Sequence, residues 1–94
     1  MIDETVFIAD GARVEGSVSI GEYSSVWFNA VVRGDRARVF VGKYTNIQDN
    51  VVIHSPTEFP VRIGDYVSIG HGSILHGAEV ANESLIGLGC LLLN

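Results

Sequence analysis

The chain has 94 residues, 47% of them hydrophobic and 18% charged, with a formal net charge of −5. That length allows one domain, that hydrophobicity excludes a disordered chain, and that charge disfavours nucleic acid or an anionic membrane as partner. A single cysteine rules out an internal disulfide, no apolar run reaches the length of a membrane span, and "MIDETVFIAD" lacks the marks of a secretory leader, so a cytoplasmic location is expected.

From residue 8 onward the chain repeats. Ile8, Val14, Ile20, Val26 and Val32 follow one another at steps of six. A step of nine leads to Val41, so three extra residues bulge out at "RGDRAR". Val41, Ile47 and Ile53 resume the step of six, and a step of ten to Ile63 then marks "SPTEFP" as an external loop. Ile63, Ile69 and Leu75 follow, a step of five to Val80 marks a one-residue deletion, and Ile86 and Leu92 close the series. All of these positions are aliphatic, and all but Leu75 and Leu92 are β-branched. Four places after most of them sits a small residue or Val, as at Ala12, Ser24, Ala30, Thr45 and Ser73.

A period of six is short strand, turn, short strand, turn. β-Branched residues suit the strands and point inward, and no helical period competes. A β-sandwich turns about every eight to twelve residues, which is too slow for this step. The pattern predicts an all-β fold, a parallel β-helix of triangular section with three hexapeptides per coil. Residues 1–94 form one domain of about four to five coils. The period does not fix the hand, and parallel crossovers are normally right-handed. So small a chain buries little surface alone, which favours oligomerisation.

Folding the numbers onto the coil places Val14, Val32, Ile53, Leu75 and Leu92 on one face. The residues after three of them are Arg33, His54 and His76, in one outward column. Stacked coils lie about 4.8 Å apart, close enough for two imidazoles to converge on one metal ion. His71 falls two places after Ile69, near a corner of the adjacent face, and is badly placed to join that pair in its own chain. It is expected to reach the metal from a neighbouring chain, so that a three-fold assembly holds three sites of the open, catalytic kind. The plainer reading, exposed histidines without a role, fits His71 as well as any β-surface residue. For His54 and His76 the shared column argues against it.

The stretch "SSVWFNAVVRGDRARVFVGKYTNIQDNVVIH", the loop "SPTEFP" and "VRIGDYVSIGHGSILHGAEVANESLIGLG" resemble the gamma-class carbonic anhydrase family, over nearly the whole chain. The resemblance implies a left-handed β-helix, a homotrimer, and a metal held at subunit interfaces by His54, His71 and His76. It implies reversible hydration of CO2 to bicarbonate by a metal-bound hydroxide. Gln48 would orient the hydroxide or bicarbonate, Asn46 would be a site residue beside it, and Arg33 and Asp35 would form an ion pair near the bicarbonate site. From the residues alone Asn46 and Gln48 read as a turn residue and a solvated side chain. The metal is expected to be Zn2+, with Fe2+ or Co2+ also suited to three imidazoles.

The chain departs from the family's archetype in two places. Arg36 stands where a Glu follows the Asp of R-G-D, and the short loop after His54 has Glu58 as its one acid for proton transfer. Both favour slow or absent turnover, which keeps a non-catalytic metal-binding trimeric scaffold as an alternative. A hexapeptide acyltransferase, which needs one His as general base, is the other. The family continues beyond the point where "GCLLLN" stops, so the chain reads as shortened there. Trimers are then expected to stack end to end, most simply as a hexamer, through Leu91, Leu92 and Leu93.

Overall fold

The computed structural model describes residues 1–93, and among them every paired strand is parallel to its neighbour. One face of the resulting β-helix stacks β1 (Phe7–Ile8), β3 (Ser25–Val26), β5 (Asn46–Ile47), β8 (Ser68–Ile69) and β11 (Leu85–Ile86) in that order. A second face carries the first halves of β2 (Arg13–Ile20) and β4 (Val31–Val41), then β6 (Val52–His54), β9 (Ile74–His76) and β12 (Leu91–Leu93). The third carries the second halves of β2 and β4, then β7 (Val61–Ile63) and β10 (Glu79–Val80).

The six-residue columns are the core. Val26, Ile47 and Ile69 line the first face, Val32, Ile53 and Leu75 the second, and Val41, Ile63 and Val80 the third, all buried. Register within each face is strict because a one-residue slip would turn a whole apolar column outward. Burial fades at the first coil, where Ile8 is 42% exposed.

Corners need a different solution, since the backbone there turns out of the ladder. Buried hydroxyls bridge the coils instead. Ser24 Oγ donates to the Gly42 carbonyl at 2.7 Å and accepts from Thr45 N at 3.0 Å. Thr45 Oγ1 repeats the pattern one coil on, donating to the Gly64 carbonyl at 2.8 Å and accepting from Val67 N at 3.2 Å. Ser73 does the same at another corner, with Gly87 O and Cys90 N. Close approach at these corners excludes side chains: a Cβ on Gly42 would lie 2.6 Å from the Gly64 carbonyl group. Most corners also hold a residue at positive φ. Asn29 and Asn50, at 61° and 62°, tolerate this conformation. Tyr23, Tyr44 and Tyr66 do not suit it, yet adopt 59°, 54° and 58°. Their rings stack in a column with centroids 5.3 and 5.2 Å apart, a contact that helps offset the strain.

The bulge lies where the sequence places it. Gly16 pairs with Gly34 and Val18 with Val39, so Ser17 alone faces the four residues 35–38. Buried Ser55 pins the insertion: its N donates to Arg33 O at 3.3 Å and its O accepts from Ala37 N at 3.2 Å. Thr45→Val keeps shape and burial but strips two backbone groups of their bridge. We expect it to lose about 1–3 kcal/mol in urea unfolding, the cost of leaving buried polar groups unpaired.

Candidate metal centre

On the outside of the second face the register is Glu15, Arg33, His54, His76, one residue per coil. β6 and β9 therefore set His54 against His76, with ring centroids 5.4 Å apart and planes inclined by 49°. Arg33 Nη2 donates to Asp35 Oδ2 at 2.8 Å, and Asp35 Oδ1 lies 3.3 Å from His54 Nε2. That Nε2 is buried and has no hydrogen-bond partner among the described residues. A buried nitrogen left unpaired is costly, and a metal ion is one way to satisfy it. Beside this column runs a second, apolar one, Val31, Val52, Ile74 and Leu91, in which Ile74 is 43% and Leu91 63% exposed.

His71 stands apart, exposed on the corner after β8, with Nδ1 3.8 Å from Asp49 Oδ1. It shares a cleft with Trp27, Asn46, Gln48 and Asp49. Gln48 Nε2 donates to Asn46 Oδ1 at 2.8 Å, and Asn46 Nδ2 donates to Ser68 Oγ at 2.9 Å. The Gln48 side chain is thus held by its amide nitrogen, which leaves its carbonyl oxygen as the group it can offer a ligand. Trp27 is fixed by its Nε1 donating to Ser25 Oγ at 2.9 Å and by Phe7, whose ring centroid lies 5.0 Å away.

The sequence-predicted residues therefore fall into two groups. Arg33, Asp35, His54 and His76 meet on a face; Asn46, Gln48 and His71 meet at a corner. Glu58 joins neither. It sits in the loop at φ 73° and lines a third cleft with Phe59, Pro60, Gly77 and Ala78. Among the described residues, no group of three or more His, Cys, Asp or Glu within the chain is arranged to hold a metal. Trp27 and Asp49 were missed in the sequence. Asp49 carried a usable signal, because it stands two places after Ile47 just as His71 stands two places after Ile69.

Comparison with known proteins finds similar chains of the same repeat type. A probable carbonic anhydrase of Methanocaldococcus jannaschii is 50% identical over 92 residues, covering 98% of this chain and 58% of that protein. The mitochondrial gamma carbonic anhydrase 2 of Arabidopsis thaliana is 41% identical over 100 residues, covering all of this chain and 36% of that one. The chain thus spans about a third to somewhat over half of these relatives. A hexapeptide transferase family protein from Anaplasma phagocytophilum superposes with a TM-score of 0.78 at 35% identity, covering 99% of this chain and 69% of that structure. No family model matches the chain.

Electrostatics on the second face centre on Asp35. The hydrogen bond from Arg33 is the main force holding its carboxyl below the ordinary carboxylate range. A carboxyl depressed in the fold contributes stability above its unfolded pKa and loses that share as pH falls through the folded value. Arg33→Met should let the Asp35 carboxyl rise toward its ordinary value of 3.8, read by carbon NMR titration of the labelled side chain.

Proposed function

The chain belongs to the hexapeptide-repeat family that includes the gamma-class carbonic anhydrases, and from that premise we propose a metal-dependent protein for the reversible hydration of CO2 to bicarbonate, working slowly, at sites between the subunits of a homotrimer. The observation that supports this best is the division of the candidate ligands. His54 and His76 stack on a face and His71 sits on a corner, so each chain offers two parts of a three-histidine set to different neighbours. The apolar column Val31, Val52, Ile74 and Leu91 beside the histidine pair supplies surface for a neighbouring copy to bury.

In this reading His54 and His76 of one chain and His71 of the partner subunit hold a zinc ion, or iron or cobalt in its place. The ion supplies Lewis acidity, which brings the pKa of water near 7. Gln48, tethered through Asn46 to Ser68, holds its carbonyl oxygen as an acceptor that orients the attacking oxygen. Arg33 places a guanidinium where the bicarbonate charge develops, and Asp35 keeps it there. Proton export is the weak point. Glu58 is the one acid of the loop and lines a cleft with Phe59, Pro60 and Gly77, and Arg36 carries the wrong charge to relay a proton. An acyltransferase needs one histidine base and leaves the stacked pair without a purpose. The single cysteine suits the cytoplasm, where we place the protein.

Protein purified without chelator is expected to hold about one metal ion per chain by elemental analysis. His54→Ala should lose it, and a variant that keeps its full metal content would refute the ligand set. Stopped-flow CO2 hydration on metal-loaded protein separates a slow enzyme from an inert scaffold. We expect a rate above that of free metal, and no excess would remove the catalytic reading while leaving the metal site.

A further inference from the structure

We propose that buried Ser55 is a positioning residue of the site, clamping the bulge so that the Arg33–Asp35 pair is held beside His54. The inference deepens the reading above, since it rests on the role given there to Arg33. Ser55 directly follows His54 and is fully buried. It stands two places after Ile53, where three other coils of this face carry Gly16, Gly34 and Gly77, two places after Val14, Val32 and Leu75. Coils approach closely in that column: a Cβ on Gly34 would lie 2.3 Å from the Ser17 carbonyl oxygen. Among these four positions Ser55 alone has a side chain, and it ends in a hydroxyl.

The ladder gives the reason. β4 pairs with β6 up to Arg33 and His54, and with β7 from Val39 and Val61 onward. Between these points the ladder to the next coil is interrupted. Ser55 bridges the gap with all three of its polar groups. Its N donates to Arg33 O at 3.3 Å, its O accepts from Ala37 N at 3.2 Å, and its Oγ donates to Ala37 O. Asp35 lies midway between the two residues so held.

The Arg33 and Asp35 side chains are 47% and 41% exposed, so packing does not fix their 2.8 Å contact. An exposed ion pair holds its geometry weakly unless the backbone beneath it is fixed. Ser55 fixes that backbone and, through its peptide bond to His54, sets it against the candidate ligand. Asp35 Oδ1 stands 3.3 Å from His54 Nε2 on this footing. Without the hydroxyl Ala37 loses one of its two tethers, and the guanidinium spends less time where the bicarbonate charge develops. His54 and His76 keep their register, because β6 and β9 set it independently of the bulge.

The test compares Ser55→Ala with Ser24→Ala in the full chain supplied with Zn2+. Each variant deletes a buried hydroxyl that donates to a carbonyl of an adjacent coil, Ser24 at the Gly42 corner and Ser55 at the bulge. The first readout is the pair of Arg33 Nη resonances by nitrogen NMR. The parent is expected to resolve Nη2, held by Asp35, from Nη1. Ser55→Ala should merge the two, and Ser24→Ala should keep them apart. The second readout is bicarbonate affinity by carbon NMR titration. Ser55→Ala should weaken it by about tenfold while metal content stays that of the parent. Ser24→Ala should stay within about twofold.

Nη resonances that stay resolved in Ser55→Ala, or that merge in both variants alike, would overturn the proposal. So would a bicarbonate affinity that Ser55→Ala leaves unchanged, or one lost in step with the metal, since Ser55 would then act through His54. Should Ser55→Ala fail to fold, the parent decides. Resolved resonances with a slowly exchanging Ala37 amide uphold the clamp, and merged resonances contradict it. A parent that binds no bicarbonate sinks the function proposed above, and the nitrogen resonances then decide the positioning claim alone.

Discussion

Coil-to-coil hydrogen bonding fixes where the histidine pair and its column lie. A parallel ladder sets successive coils about 4.8 Å apart and lets no strand slide without turning its apolar column outward. Val32, Ile53 and Leu75 are fully buried in one such column, so Arg33, His54 and His76, each one residue further on, must form a column on the outside. The histidine pair is a consequence of core packing. No loop has to fold around a metal to create it. Where the backbone leaves the ladder at the corners, Ser24, Thr45 and Ser73 carry the register across with their hydroxyls.

The same rigidity explains the division of the site. A prism's faces diverge outward, and His71 is held on a corner by β8 and the turn that follows. Among the described residues it forms no three-ligand group with His54 and His76 of its own chain. Asn46, Gln48 and Asp49 share its corner, while Arg33 and Asp35 share the other group. In the proposed reading each chain carries two complementary parts, and the exposed apolar column beside the histidine pair is the surface that the neighbouring copy joining them would cover.

Much of this was legible in the sequence because a hexapeptide period converts position directly into place. Steps of six gave the faces, the step of nine gave the bulge at Asp35–Arg38, and the step of ten gave the loop that holds Glu58. The separation of His71 from His54 and His76 followed from its place two residues after Ile69. What the period does not encode stayed hidden. Tyr23, Tyr44 and Tyr66 at positive φ carry no signal in residue type, since their strain is offset by a stack that exists only once the coils are aligned. The contact between Asp35 Oδ1 and His54 Nε2 depends on how the bulge turns, and spacing says nothing of that. The sequence marks Glu58 as the acid of the loop, but which cleft it lines, with Phe59, Pro60, Gly77 and Ala78, depends on how the loop turns.

The central claim is that a complete site is shared between copies, and complementation tests it most directly. Chains carrying His71→Ala and chains carrying His76→Ala each lack one ligand, and neither should hold metal alone. In assemblies of the two, a His71→Ala chain still offers His54 and His76, and a His76→Ala chain still offers His71. Shared sites predict that metal binding returns in the co-assembled protein, at fewer ions per chain than in the parent. Assemblies shown by mass to contain both chains, yet holding no metal, would contradict the account.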